Sequence, residues 1–303
     1  MTDGSWLWAV FTVIAAAAQT VRNAAQRELT TTLGTVGATH VRFLFGLPFS
    51  VLFLCGIMLV TRHSLPSVPP AFWLWAALGA TMQFAATALM LVAMGERSFV
   101  VAIAYIKTEP IQVALFGLVL LGDHLSPPLM LAILIATSGV LLMSFKPGAV
   151  AAGGGIGGLR PMLVGLASGG MFGLSAIGFR GAILSLGDAD FVMAASFTLV
   201  VGLAMQCVAL TPYLWWRERA TLRAIAAAWR PSLFAGFMGA LASQFWYLAF
   251  ALATAASVRT LALIEVLFAQ AISKFVFRQA TTAREVYGIV LIVAGVALLL
   301  WAH

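Results

Sequence analysis

Ten apolar segments, each about as long as a membrane-spanning helix, follow one another along this chain. A helix needs roughly 20 apolar residues to cross the hydrocarbon core of a bilayer. Hydrophobic residues make up 62% of the 303 positions and charged residues only 9%, whereas soluble domains carry about 25% charged residues. The sequence therefore predicts an all-α membrane protein of ten transmembrane helices. These cover 6–26, 38–60, 71–94, 98–120, 127–146, 161–185, 191–214, 231–252, 257–277 and 283–302.

A glycine-rich stretch between the fifth and sixth segments divides the chain into two halves of five helices each. We expect a first five-helix repeat at 1–147, a linker at 148–160 and a second five-helix repeat at 161–303. The run Gly153-Gly154-Gly155 in this linker resembles a phosphate-binding loop, but no Lys-Ser/Thr pair follows it. The sequence therefore predicts no nucleotide site, and no cofactor is expected.

The two halves share a weak internal repeat. One ungapped shift of 156 positions aligns Glu109 with Glu265 and Gly139 with Gly295 (109 to 265, and 139 to 295). Each half has an odd number of helices, so the second must cross the membrane in the opposite sense to the first. Inverted repeats are typical of alternating-access carriers, whose substrate site lies near the bilayer midplane. We therefore expect one repeat bundle to rock against the other around a central cavity.

A second match lies near the start of each half. There Gln26-Arg27 corresponds to Phe179-Arg180, and Leu33-Gly34 corresponds to Leu186-Gly187.

Lysine and arginine residues are concentrated in the loops on one side of the predicted topology. The other side holds only Arg62. Positively charged loops remain cytoplasmic, so both termini are expected outside, in the periplasm, for a multi-pass inner-membrane protein. The net charge of +7 is then explained by topology, and no nucleic-acid partner is expected. The cytoplasmic set is Arg27, Arg97, Lys146, Arg160, Arg217, Arg219, Arg223, Arg230, Arg278 and Arg284.

Three ionisable residues, Lys107, Glu109 and Glu265, lie deep within predicted helices. A charge at the bilayer centre costs about 2.5–3.5 kcal/mol on insertion scales, so such residues are candidates for function. Glu109 shares one stripe of the fourth helix with Tyr105 and Gln112, which favours a place in the substrate cavity. The alternative is that Glu109 pairs with a cation and only holds helices together.

Pro110 follows Glu109 directly and removes a backbone donor, which predicts a hinge in the middle of the fourth helix. Glu265 has apolar neighbours on its own helix and needs a partner on another one. We predict an ion pair between Glu265 and Lys107, either as a latch for one conformational state or as a static brace. Protonation of either glutamate would couple transport to protons, a question that the sequence leaves open.

Arg22 of the first helix is a further gating candidate, because it could attract a carboxylate at the inner entrance. The alternative is an arginine whose side chain extends to the headgroups, as we expect for Arg259 and other cations near helix ends.

Polar side chains next to aromatic ones suit an amphipathic solute with an apolar body. The alternative for each of these residues is an interhelical hydrogen bond alone. The residues expected to line the substrate cavity are Gln19, Asn23, Gln83, Tyr105, Glu109, Gln112, Gln244, Tyr247 and Glu265.

The sequence resembles the EamA branch of the drug/metabolite transporter superfamily. Three features carry this resemblance: the paired five-helix halves, Glu109-Pro110 in the fourth helix, and Leu121-Gly122-Asp123 before the fifth. Within that branch, the topology with both termini outside is similar to bacterial YddG-type exporters of aromatic and other neutral amino acids. The resemblance implies a bacterial inner-membrane carrier with a central cavity lined by both halves. The second half has Val266 in place of Pro110 and Arg278-Gln279 in place of Gly122-Asp123. The resemblance therefore does not imply that the two halves hinge in the same way.

Other functions stay open beside amino-acid export. A carrier for a drug, sugar, polyamine or nucleotide conjugate is one, although phosphates would need more deep cations than Lys107. A passive channel is another. A membrane-embedded enzyme would need a nucleophile with a base, or a metal cluster. The histidines are far apart and mostly in loops, so neither catalysis nor a metal site is expected. They are His40, His63, His124 and His303.

Overall fold

The computed structural model describes residues 6–96, 105–144, 159–187, 189–275 and 282–302. Within these ranges all regular elements are helices, and no strand occurs. The α-helices are α1 Leu7–Leu44, α2 Gly46–Thr61, α3 Pro70–Glu96, α4 Glu109–Phe116, α5 Pro127–Ser144, α6 Leu159–Ser185, α7 Phe191–Arg217, α8 Arg219–Ala227, α9 Trp229–Leu252, α10 Ala255–Leu261, α11 Glu265–Phe275 and α12 Ala283–Ala302.

Six helical segments of the described residues are long and apolar enough to cross a membrane. Large apolar side chains stand exposed on them, such as Leu59 at 80% and Val60 at 85%. Soluble proteins rarely expose contiguous apolar patches larger than roughly a few hundred Å², and lipid is the solvent that accepts them. The chain is therefore a multi-pass membrane protein, while the count of ten spans stays a prediction. The six are Val36–Thr61, Pro70–Met90, Met162–Ser185, Phe191–Arg217, Trp229–Leu252 and Ala283–Ala302.

The predicted fourth and fifth segments are represented by shorter apolar helices, Glu109–Leu121 and Pro127–Met143. The first of these ends in a π-helical turn over Gly117–Leu121. Residues 98–104 of the fourth segment and 148–158 of the linker lie outside the described residues, and the last two linker positions begin α6.

The longest helix, α1, is interrupted at Gly34, whose backbone has φ 65° and ψ 176°. Residues with a Cβ essentially do not adopt this conformation. The predicted first and second helices therefore meet at one glycine, and no extended loop separates them. The aligned glycine of the second half, Gly187, also has a positive φ of 38°. The two glycines that match in sequence therefore also share a positive φ.

The chain forms two compact units, and each draws on both predicted repeats. Unit 1 comprises Met1–Ala80 and Gly178–Ala253. Its main packing is α1 along α9, with α2 and α7 beside them. His40 is fully buried in this unit, and its Nε2 lies 3.1 Å from the Thr211 hydroxyl.

Unit 2 comprises Thr81–Ile177 and Thr254–His303, and its main packing is α5 along α12. A Cβ on Gly139 would lie 2.7 Å from the Gly288 carbonyl oxygen. In the same way, a Cβ on Gly295 would lie 2.9 Å from the Ala132 carbonyl oxygen. The repeat shift takes Gly139 to Gly295 and Ala132 to Gly288, so the two contacts are equivalent. They also show that α5 and α12 run antiparallel, because a later residue of one helix meets an earlier residue of the other.

Candidate functional site

Two helical stretches of unit 2 break at aligned positions. In the first half Lys107 and Thr108 form a turn, and α4 begins at Glu109. In the second half a 3-10 turn over Ala262–Ile264 follows α10, and α11 begins at Glu265. Each aligned glutamate is thus the first residue after a break.

Pro110 accounts for the break in the first half. It has no N–H to donate, and its ring is incompatible with a regular helical position for the carbonyl four residues earlier, that of Ile106. The Ile106 oxygen instead faces α6, where a Cβ on Gly169 would approach it to 2.9 Å. The second half breaks without a proline, since Val266 occupies the equivalent position. No local feature of the sequence accounts for that second break.

Four charged side chains, which we call the charged cluster, pair across these breaks. Lys107 forms an ion pair with Glu265, the two residues that we expected to meet. The Arg259 Nε lies 3.1 Å from Glu109 Oε1. Each glutamate therefore takes its cation from the other half of the sequence. The four side chains are between 15% and 22% exposed, so the protein shields them from most solvent.

The charged cluster is neutral, because its two carboxylates balance one ammonium and one guanidinium. Removing one partner of a buried pair typically costs 3–5 kcal/mol, since it leaves an uncompensated charge. Any movement that separates Lys107 from Glu265, or Arg259 from Glu109, must therefore supply new partners for the separated charges. Water, a second protein group or a charged solute could take that place.

Our expectation that Arg259 extends to the headgroups is wrong. Helix α10 begins at Ala255, two residues before the predicted start, and the neighbouring Val258 and Thr260 are fully buried. Arg259 is thereby held beside Glu109 in the interior of unit 2. An apolar run that continues on both sides of a cation is the signal that could have identified it.

Gln112 and Tyr105 pack against a glycine-lined face of α6. The Gln112 amide donates to the Thr108 hydroxyl at 3.1 Å and to the Leu166 carbonyl at 3.2 Å. A Cβ on Gly165 would lie 2.7 Å from the Tyr105 Cβ. Both residues therefore support the broken stretch, and their place in a substrate cavity stays a prediction.

Gln83 is the remaining cavity candidate in unit 2. It is half-buried in α3, and its backbone carbonyl accepts a hydrogen bond from the Thr87 hydroxyl at 2.8 Å. Pro110, the predicted hinge, is buried as the second residue of α4. In the described residues, no group of three histidine, cysteine or acidic side chains comes together as a metal site.

The other candidates lie in unit 1, where they form hydrogen bonds within the helix packing. On α1, Arg22 is only 6% exposed and donates through Nη2 to Asn23 Oδ1 at 2.7 Å. Gln19 Oε1 accepts from Trp246 Nε1 at 3.2 Å. The Gln19–Trp246 hydrogen bond links α1 to α9, while the Arg22–Asn23 bond lies within α1.

Gln244 and Tyr247 are both buried on α9. The Gln244 amide nitrogen donates to the Ser196 hydroxyl at 2.8 Å. The Tyr247 ring centroid lies 5.0 Å from that of Phe179. Each residue therefore has a packing role in unit 1, and a role in substrate binding stays a prediction for both.

The model of the EamA-like transporter family matches residues 6–145. This range includes Glu109, Pro110 and the helix break that precedes them. This segment is EamA-like. No curated protein matches the chain. A crystal structure of another protein superposes with a TM-score of 0.67 at 14% identity, over 98% of this chain and 95% of that one. At this identity the likeness shows a shared fold alone, which extends from the EamA-like segment through the second half.

Proposed function

We propose that this protein is a secondary transporter of the drug/metabolite type that exports neutral, preferentially aromatic, amino acids by alternating access. The EamA-like match of residues 6–145 supports the transporter class. We further propose ten transmembrane helices in two inverted five-helix repeats, in a bacterial inner membrane, with both termini in the periplasm. The distribution of lysine and arginine over the loops supports that orientation.

The packing of α5 on α12 supports the inverted repeat. The repeat shift turns the contact between Gly139 and Gly288 into the contact between Gly295 and Ala132, and the reverse. Two antiparallel helices that exchange in this way are related by an axis perpendicular to both. For membrane-spanning helices that axis lies parallel to the bilayer, as in inverted-repeat carriers.

The observation that carries the proposal is the pair of aligned helix breaks with crossed ion pairs. Discontinuous helices in corresponding places of two repeats are a strong pointer to the solute site of a carrier. Glu109 and Glu265 begin the helical segments after the breaks, and Arg259 and Lys107 reach them from the opposite repeat. A movement of one repeat relative to the other would strain both ion pairs together.

An amino acid fits the chemistry of the charged cluster. Its carboxylate is a substitute partner for Arg259 or Lys107, and its ammonium is a substitute partner for Glu109 or Glu265. A solute of zero net charge can therefore enter a neutral cluster and leave no charge unpaired. A nucleotide conjugate brings more negative charge than these four groups balance, and a cationic drug would have to displace a cation from a paired glutamate.

Counterflow in proteoliposomes tests the proposal. Liposomes loaded with unlabelled phenylalanine or another neutral amino acid should take up the labelled compound with saturation. Glu109→Gln and Glu265→Gln should reduce this uptake strongly, while Glu218→Gln, an exposed acid between α7 and α8, should not. Absence of counterflow with every amino acid would refute the substrate, and linear flux without saturation would indicate a channel. Uptake that follows an imposed pH gradient would assign proton coupling.

A further inference from the structure

A groove in unit 1 lies between α1 and the α8–α9 region, and we call it the α8 groove. Its volume is about 820 Å³, within the range of about 300–1,000 Å³ typical of small-molecule sites. Leu29 and Leu33 line it from α1, Ala227 from α8, and Pro231 and Phe234 from α9. The groove is therefore largely apolar, and none of the residues of the charged cluster lines it.

Helix α8 holds one wall of this groove, in a stretch expected to be a loop. Ile225 is 2% exposed and packs in a cluster with Leu29 and Val41 of α1. Arg219 and Arg223, one helical turn apart, are exposed. The helix is thus fixed to the protein by its apolar side, and its cationic side remains open to the surroundings.

Exposed tryptophans accompany the arginines at both ends of α8. The Arg219 guanidinium lies 5.3 Å from the Trp215 ring centroid, and the Arg230 guanidinium lies 5.3 Å from that of Trp229. Trp215 and Trp229 are 62% and 51% exposed. Tryptophan is enriched at the level of lipid headgroups, so this region is expected to lie at the membrane surface.

The charges near the groove are mostly positive. Arg223 directly precedes a groove-lining residue of α8, and Arg230 directly precedes Pro231. Glu28 is the one carboxylate that lines the groove among the described residues. A ligand that complements this arrangement has an apolar body for the groove and an anionic head for the arginines.

We propose that the α8 groove binds one anionic phospholipid, with an acyl chain along the apolar wall and the phosphate at Arg223 and Arg230. In the proposed orientation this region faces the cytoplasm, where anionic lipids attract basic segments near the membrane. The apolar wall distinguishes this ligand from free phosphate, for which the arginines alone would suffice. The inference does not depend on the identity of the transported solute.

Native mass spectrometry of the detergent-purified protein tests the headgroup. The protein is offered equimolar phosphatidylglycerol and phosphatidylcholine with identical acyl chains. We expect one phosphatidylglycerol to be retained in preference. Arg223→Gln and Arg230→Gln should each weaken its binding about fivefold, which corresponds to about 1 kcal/mol per arginine. Arg62→Asn, which removes an exposed arginine elsewhere and suits its left-handed backbone, should have no effect.

A second arm tests the groove itself. Ala227→Phe fills the groove and should lower phosphatidylglycerol retention, while Ala226→Phe, on its exposed non-lining neighbour, should not. Ala227→Leu serves the same purpose if the phenylalanine variant does not fold. Glu28→Gln should increase retention. Equal retention of phosphatidylcholine, displacement of the lipid by glycerol phosphate at equal concentration, or unchanged binding in the Arg223 or Ala227 variants would overturn the proposal.

Discussion

The ion pair between Glu109 and Arg259 should make a measurable contribution to stability. At a separation of about 4 Å and an effective dielectric constant of about 20, two unit charges attract by about 4 kcal/mol. The Nε and Oε1 atoms are 3.1 Å apart, and the side chains are 18% and 15% exposed. Water around the partly exposed side chains screens about half of this attraction, and the desolvation cost of each charge cancels in a coupling free energy. We therefore expect a coupling free energy of about 2 kcal/mol.

A double-mutant cycle measures this coupling without assigning the whole loss to one residue. Glu109→Gln, Arg259→Gln and the double variant are unfolded in mixed micelles, and the free energy of unfolding is compared with that of the parent protein. Each single variant should lose about 3 kcal/mol, because it leaves one enclosed charge without its partner. The double variant should lose about 2 kcal/mol less than the sum of the two.

Glu218→Gln is the matched control for that cycle, because Glu218 is an exposed acid. It should change the free energy of unfolding by less than about 0.5 kcal/mol. A coupling between Glu109 and Arg259 of less than about 0.5 kcal/mol is typical of solvent-exposed pairs, and it would refute the enclosed ion pair.

Thermal unfolding in detergent tests two further predictions. Gly169→Ala should lower the free energy of unfolding by about 1–3 kcal/mol, because its Cβ would lie 2.9 Å from the Ile106 oxygen. Gly56→Ala, whose Cβ would have no atom within 4 Å, should leave stability unchanged. Equal losses in the two variants would contradict the close approach of α6 to the break. Gly34→Ala and Gly187→Ala should each lower the free energy of unfolding by about 1–3 kcal/mol through backbone strain alone, since both glycines have positive φ and open space around them. Unchanged stability would show that the chain does not hold these conformations.

Segment length and apolarity predicted most of the helices, because lipid selects for both properties directly. The glycine match near the start of each half was also informative, since Gly34 and Gly187 both have positive φ. Helix α8 was missed, because its nine residues carry arginines and small side chains that look like a loop. Packing against α1, through the buried Ile225, stabilises it as a helix.

The site was predictable in part. Lys107 and Glu265 could be paired from sequence, because a deep charge needs a partner and few were available. Arg259 was missed, because one predicted helix start was placed two residues too late. The break before Glu265 could not be foreseen, since it has no proline. Such breaks depend on contacts between distant segments, which a single sequence does not report.

Cysteine labelling of two aligned loops tests the inverted repeat most directly. In a background with Cys55 and Cys207 replaced by alanine, His124→Cys lies between the fourth and fifth predicted helices. Ala283→Cys is the first residue of the tenth predicted helix, next to the loop that joins it to the ninth, and both positions are exposed. A membrane-impermeant maleimide added to intact cells should label position 124, and it should reach position 283 only after the membrane is permeabilised. Labelling of both positions from the same side would contradict the two oppositely oriented repeats on which the proposed transport mechanism depends.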